Sequence, residues 1–318
     1  LSVLTAIERG LRGWSIKPKI QDDQRLWASV RDGMRSDNPQ QIALVGTSRM
    51  QLDFDLHEFS RDMGNAPVAQ LAIVGSAGLP VFEDLSHDVH FRGLVVFELV
   101  PWTLFGHGPP SDSTAIEYVN FQSHQTRIAP VEARLRTEVQ RVFAFDKLRF
   151  QDLLEGLVDR RTPSSLGYTL DPDRGYHVDF SKVSQAQLRL PLANLMNLGT
   201  SGSPEELKEN LRAFEADVRR IQARGGRVAL VVLPSDGAVG AAERAACPRE
   251  RYWDVLAAET SAVTLNWLDD PRLRKFKCPD GSHLDMRDQV EFTRIFVEDL
   301  RTKLAAQHPS PATSPAQR

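Results

Sequence analysis

The amino-acid sequence predicts an α/β fold, a three-layer sandwich with a central parallel sheet, carrying an inserted subdomain. Three observations lead there. Four short runs, Gln41 to Val45, Val68 to Val74, Gly93 to Val100 and Arg227 to Leu233, are nearly continuous Val, Leu, Ile and Ala, as strands buried on both faces of a parallel sheet should be. Each run halts at a Gly or a Pro. Apolar residues at helical spacing stand beside these runs, so strand and helix alternate at both ends of the chain.

Taken in order, residues 1–40 are polar and mixed, with Trp14, Trp27 and a predicted helix from Asp22 to Met34 that ends at the Ser36-Asp37-Asn38-Pro39 breaker. They form a lead-in to the core. The first strand stops at Gly46, and Leu52, Leu56 and Phe59 then recur at helical spacing. Residues 41–102 therefore open the core, and residues 201–306 complete it. Ser203-Pro204-Glu205-Glu206 is a capping box with Pro at the first helical position, followed by an apolar stripe of Leu207, Leu211, Phe214, Val218 and Ile221 that stops at Gly225-Gly226. Val263 to Leu265 is a short fifth strand, and a helix over Gln289 to Leu304 closes the fold. Residues 103–200 break the rhythm, with Gly and Pro at 106 to 110, an amphipathic helix near 130 to 160 and a Gly, Asp and Pro rich stretch around Tyr168 and Tyr176. This is the insertion, expected to serve as a lid or substrate wall, or as structural padding. Residues 307–318 read as a disordered tail.

Composition excludes several classes. With 41% hydrophobic and 25% charged residues among 318, the chain can bury a real core and is no coiled coil or wholly disordered protein. Its formal net charge of −3 supplies no basic field for nucleic acid. No apolar run approaches the roughly 18 to 20 residues that span a bilayer. The first residue is Leu1, which is compatible with a signal or membrane anchor preceding it. Cys247 and Cys278 alone supply thiols.

Two motifs carry chemistry. Gly46-Thr47-Ser48-Arg49 stands where a buried strand hands over to a helix, the edge at which open α/β folds bind ligands. Ser48 there is either a nucleophile whose own amide donates to an oxyanion or simply a helix cap. Near the other end, Pro279-Asp280-Gly281-Ser282-His283-Leu284-Asp285 places a carboxylate and an imidazole three residues apart in a turn. Asp280 can hold His283 Nδ1, leaving Nε2 to take a proton from a serine. Loops after parallel strands gather on one edge, so Ser48, Asp280 and His283 can meet as nucleophile, orienting acid and base.

This pattern resembles the SGNH/GDSL hydrolase superfamily, whose nucleophile follows the first strand and whose Asp-x-x-His pair precedes the C-terminal helix. The resemblance implies an SGNH hydrolase-like sandwich and assigns Ser48 as nucleophile, His283 as general base and Asp280 as its partner. It also implies an oxyanion hole made by the amides of Ser48 and of Gly75, in Val74-Gly75-Ser76. Arg49 and Ser76, the next residues, are candidate substrate contacts. Thr47 replaces the aspartate of Gly-Asp-Ser, and Phe97-Glu98-Leu99-Val100-Pro101 stands where family esterases place the asparagine of Gly-x-Asn-Asp. The Gly-Thr-Ser-Arg and Asp-Gly-Ser-His-Leu forms are similar to a divergent bacterial envelope branch resembling polysaccharide O-acyltransferases. That branch implies a periplasmic or extracytoplasmic domain, an acyl donor, a glycan acceptor and a membrane acyltransferase partner, with no cofactor. A carbohydrate esterase and a catalytically silent glycan-binding or assembly subunit are the alternatives.

Other clusters predict less. His87, Asp88 and His90 have a metal-like spacing without a further ligand set, so no metal is expected. Gly106-His107-Gly108 lacks the context of a nucleotide loop. Arg160-Arg161, Arg219-Arg220 and the set Arg272, Arg274, Lys275 and Lys277 read as solvated faces, the last being near enough to Asp280 to meet an anionic glycan. Finally, Cys247 and Cys278 belong to loops expected at the same sheet edge. In an envelope protein they should form a disulfide contributing roughly 3 to 4 kcal/mol; the alternative is two buried reduced thiols that pack as small hydrophobes.

Overall fold

The structure, a computed structural model, describes residues 2–13, 18–34, 37–100, 104, 112–126, 128–144, 168–183 and 204–307. Five parallel strands make the central sheet: β1 (Ile42–Val45), β2 (Val68–Gln70), β3 (Leu94–Glu98), β6 (Arg227–Val232) and β7 (Val263–Asn266), in the order β2-β1-β3-β6-β7. The three central strands are buried on both faces at nearly every position. This is why their sequences are apolar without alternation.

Alternate residues nevertheless serve different layers. Ala43, Val45, Val95, Phe97, Val228 and Leu230 face helices α2 (Gln24–Asp32), α5 (Leu79–His87), α8 (Pro204–Gln222) and α10 (Trp253–Glu259). Ile42, Leu44, Leu94, Val96, Ala229 and Val231 face α3 (Ser48–Leu52), α4 (Leu56–Asp62) and α11 (Gln289–Gln307), where Phe54, Phe59, Phe292 and Phe296 interlock with ring centroids 4.8 to 6.5 Å apart. The sheet is thus flanked by helices on both faces. The strand order reverses between β1 and β3, and in doubly wound sheets the crevice at the carboxyl ends of such a pair is where ligands bind.

The segment expected as one helix after β1 is two. Asp53, Phe54 and Asp55 separate α3 from α4, the Asp55 side chain caps Glu58 N, and Asp53 is wholly buried in a contact to the far end of the chain. The helix predicted over 22 to 34 shortens to α2 because Asp23 is its cap, accepting the amides of Arg25 and Leu26 at 3.1 Å.

The lead-in is more structured than its composition suggests. Helix α1 (Ser2–Gly13) lies against the end of α7 (Ala129–Val142): Arg12 donates to Val142 O at 2.8 Å, and Ala144 N donates to Glu8. Helix α2 packs on both α7 and α6 (Ser113–His124). The predicted helix near 130 to 160 is α7 as far as Val142; residues 145–167 and 184–203 lie outside the described residues, as do Gly106-His107-Gly108, Arg160-Arg161 and the tail from 308.

A hairpin of β4 (Tyr168–Leu170) and β5 (Tyr176–Val178) comes from the 103–200 stretch. Its turn residue Arg174, fully buried, donates to Gln70 O at 2.7 Å and Ala72 O at 2.9 Å and pairs with Asp22. A guanidinium therefore covers carbonyls of edge strand β2, a position that would otherwise invite pairing with another chain. Among the described residues no helix is long and apolar enough to cross a membrane.

Candidate active site

The nucleophile turn begins where β1 ends. Gly46 is required by a close approach: a Cβ there would come within 2.6 Å of the Glu98 Cβ. Glu98, the last residue of β3, turns its carboxylate into this space and accepts Thr47 N at 2.8 Å, Met50 N at 3.1 Å and the Thr47 hydroxyl at 2.9 and 3.0 Å. Thr47, not Ser48, caps α3, with its Oγ1 accepting Arg49 N at 3.3 Å. The helix-cap reading of Ser48 is thereby removed. Of the amides from Thr47 to Met50, those of residues 47, 49 and 50 are engaged within the turn or by Glu98.

Asp280 organises the second turn almost alone. Its Oδ1 accepts Ser282 N at 2.9 Å and His283 N at 2.8 Å, while Oδ2 accepts His283 Nδ1–H at 2.6 Å. Gly281 has φ 86, a left-handed conformation, and a Cβ would strike the Val239 side chain at 2.7 Å; only glycine meets both conditions. Because an ionised Asp280 cannot donate, Nδ1 carries the ring proton and Nε2 is the acceptor. Nε2 lies 2.7 Å from Ser48 Oγ. Residues 235 positions apart in sequence thus form a Ser-His-Asp relay at the switch point of the sheet. The side chains of His283 and Asp280 are 18% and 11% exposed, so the relay borders solvent without being flooded.

Buried charge surrounds it. Burial pushes the Asp280 carboxyl up, but the hydrogen bond and charge of His283 and the two amides outweigh that and hold it below the usual aspartate range. Asp53 has the opposite balance: burial drives it well above that range, and its single donor, Leu284 N at 2.9 Å, leaves Oδ2 without a hydrogen bond. Glu98 is also raised by burial, against the pull of Arg49 and its Thr47 and Met50 donors.

The remaining expected site residues are placed differently. Gly75 lies in an exposed turn with φ 78, one residue past Ile73 and Val74, where Ile73 N donates to Gly46 O and so keeps the turn beside the nucleophile loop. Ser76, expected as a substrate contact, is turned away from solvent. It is wholly buried and donates to Asp112 Oδ1 at 2.7 Å, a carboxylate that also accepts the amides of Ala77 and Gly78. Arg49 is likewise withdrawn from the surface, 4% exposed, with its guanidinium on Glu243 and Ser282. No disulfide joins Cys247 and Cys278. Cys247 packs against the α2, α5, α8 and α10 layer, whereas Cys278 belongs to the opposite cluster, so sharing a sheet edge does not bring the sulfurs together. Burial raises the Cys247 thiol to about 11 and Cys278 further still, which makes both poor nucleophiles.

Three of the four cations in the basic set near Asp280 stand beside carboxylates. Arg272 pairs with Asp270, Glu298 and Asp299, Lys275 with Glu291, and Lys277 lies 3.4 Å from Asp236. Asp88 is engaged by Arg31, and His90 lies beside Asp37. Among the described residues no group of three or more His, Cys, Asp or Glu converges as a metal site.

Sequence reading missed Glu98, Asp53, Glu243 and Ser282 as parts of the site. For Glu98 a signal existed: it is the one charged residue closing an otherwise apolar strand, Leu-Val-Val-Phe-Glu. The hairpin also contributes unexpectedly, since Met286 N donates to Val178 O and Phe180 N to Asp285, bracing the chain just after His283. Compared with known proteins, the chain matches no family model and no curated protein.

Proposed function

We propose that the chain is an acyl-transfer enzyme working through an acyl-Ser48 intermediate, of the SGNH type that its motifs resemble. The observation that carries this reading is the relay itself, with Ser48 Oγ at 2.7 Å from His283 Nε2 and His283 Nδ1 at 2.6 Å from Asp280. Both distances fit a serine hydroxyl donating to a base and a base oriented by a carboxylate.

In the first half-reaction, Ser48 Oγ bonds to the acyl carbonyl carbon while its proton passes to His283 Nε2. Asp280 stabilises the imidazolium that results. The carbonyl oxygen becomes an oxyanion; the amides of Ser48 and Gly75 are the donors assigned to it. Collapse breaks the bond to the leaving group, which takes the proton from Nε2. In the second half-reaction an acceptor hydroxyl gives its proton to Nε2, attacks the acyl carbon and releases Ser48, which regains the proton. Glu98 is turned inward and supplies no donor where esterases of the family place an asparagine.

The acceptor proposed is a sugar hydroxyl of an exported polysaccharide, with a membrane acyltransferase delivering the acyl group outside the cytoplasm. These follow from the Gly-Thr-Ser-Arg and Asp-Gly-Ser-His-Leu resemblance. The partial exposure of His283 favours a second reading, a carbohydrate esterase, because water can reach the same base. Intact mass after incubation with p-nitrophenyl acetate tests the common core: one acetyl group on wild type and none on Ser48→Ala supports it, while an unmodified wild type across activated esters points to a silent binding subunit. Product analysis with and without an oligosaccharide acceptor then separates transferase from esterase.

A further inference from the structure

Ser48 and His283 meet from two turns 235 residues apart in sequence, and among the described residues one further side-chain to side-chain hydrogen bond joins those turns, from Arg49 to Ser282. Arg49 follows the nucleophile. Its Nε donates to Ser282 Oγ at 3.0 Å, one residue before His283, and its terminal nitrogens pair with Glu243 on α9 (Gly237–Ala246). Arg49 and Glu243 are each 4% exposed. A buried ion pair of this kind contributes little net stability compared with apolar packing, so what it adds here is the geometry it fixes. The planar fork suits that task, because Nε and the terminal nitrogens bond in fixed relative directions.

The other ties on each turn are separate. Glu98 holds Thr47 and Met50, and so fixes the nucleophile arm to β3. Asp280 closes the base turn on itself, and Asp236 N donates to Gly281 O at 3.0 Å, fixing that turn to the segment after β6. Asp53 reaches across as well, but to Leu284, on the far side of His283. Without Arg49 the approach of Ser48 Oγ to Nε2 would depend on the sheet, on the Asp236 contact to Gly281 and on the Asp53 contact beyond His283.

We propose that Arg49 is a positioning residue of the relay: anchored on Glu243, it holds Ser282 and thereby sets His283 against Ser48. This rests on the acyl-Ser48 reading for its consequence in catalysis, though the placement of the imidazole can be read independently. Ser282→Ala is the informative variant, since it removes one hydroxyl from a half-buried position and leaves the Arg49–Glu243 pair intact. Arg49→Lys is the second, because a single ammonium keeps the charge opposite Glu243 but cannot reproduce the fork.

Two readouts decide. Labelling of Ser48 by a fluorophosphonate, followed by intact mass, should slow by about tenfold in Ser282→Ala with an almost unchanged melting temperature. The double variant should be within about twofold of Arg49→Lys, because both changes cut the same link. In nitrogen NMR, His283 Nε2 should shift in Ser282→Ala toward its value in Ser48→Ala, while the low-field Nδ1 proton stays, since the Asp280 contact lies within one turn. A general loosening would lose both signals. Ser282→Ala labelling within about twofold of wild type, losses that multiply in the double variant, or an unmoved Nε2 resonance would overturn the proposal. A wild-type protein that no fluorophosphonate labels would overturn the acyl-Ser48 reading instead, and the Nε2 resonance would still decide on Arg49.

Discussion

The two turns that build the relay are held in opposite ways. The Asp280–His283 turn takes its shape from within: one carboxylate takes two amides and the imidazole within four residues, Gly281 permits the bend, and outside contacts only fix where the turn sits. The Gly46–Met50 turn is held from outside, by Glu98 from β3 through contacts 48 and 51 residues apart in sequence. A local device is cheap to form and can be recognised wherever its residues occur together. A remote one exists only when the sheet has formed, so the Ser48 turn is set only in the folded state while the Asp280–His283 pair can form locally.

The largest effects should separate the chemical groups of the two turns. His283→Ala should lower acyl-enzyme formation by about a thousandfold or more, close to the loss in Ser48→Ala, because members of such a relay act as a unit. Asp280→Asn should keep some activity if its amide oxygen still orients Nδ1–H, but it should lose more stability than His283→Ala because the turn itself depends on that side chain. Single-turnover acylation monitored alongside thermal melting gives both quantities. An Asp280→Asn protein that melts like wild type would break the contrast between a turn that makes itself and one made for it.

The same contrast explains what could be read from the sequence. The strands were legible because double burial writes itself as continuous apolar runs, and the pair Asp280 and His283 because both lie in one turn. Ser48 was legible from position, in the turn after the first strand, although only the fold could show that Thr47 does the capping. Glu98, Glu243 and Asp53 were not, since their roles are contacts with residues 48 to 231 positions away. The burial of Arg49 and Ser76 was hidden for a related reason: a polar residue at a strand edge looks exposed in sequence, and both are buried on partners that no spacing rule supplies. Helices α1 and α6 went unread because mixed polar sequence conceals packing between the lead-in and the insertion.

Next in size is the stability of the externally held turn. Glu98→Ala would leave the buried amides of Thr47 and Met50 and the Thr47 hydroxyl without their acceptor, and should cost about 3 to 5 kcal/mol. Glu98→Gln retains one acceptor oxygen and should cost about 1 to 2 kcal/mol. Chemical denaturation of both variants checks the ordering. If the two variants lose the same amount, the carboxylate matters as a charge opposite Arg49 and not as the acceptor of the turn.

A smaller effect distinguishes the two aspartates by the sign of their pH dependence. Asp280, held low, contributes stability that is present above the ordinary aspartate value of about 3.9 and is lost as the pH falls through its lower folded value. Asp53 is raised by burial. In the unfolded chain it ionises near pH 3.9, whereas in the folded protein it keeps its proton to higher pH, so folding stability falls as the pH rises between the two. The stability difference between Asp53→Asn and wild type should therefore move in favour of the asparagine by about 1 kcal/mol or more from pH 4 to pH 8. Urea melts at those two pH values measure it, and a difference that moves the other way would mean that Asp53 is ionised in the fold.

The smallest expected effect belongs to the thiols, and it tests whether the base turn needs a covalent clamp. A disulfide between Cys247 and Cys278 would tie that turn to the end of α9 and would contribute roughly 3 to 4 kcal/mol by the chain-entropy account. In the structure the turn is instead closed by Asp280 and secured by Asp236 N to Gly281 O, Leu284 N to Asp53 and the guanidinium of Arg49 on Ser282. The cysteines pack in opposite hydrophobic clusters, where each behaves as a small apolar side chain. Reductant should then leave the melting temperature unchanged, and alkylation of the unfolded protein without prior reduction should label both residues. A melting temperature that drops on reduction, with no label taken up beforehand, would show that the turn is clamped by a disulfide and would restore the strongest sequence argument for a life in an oxidising compartment.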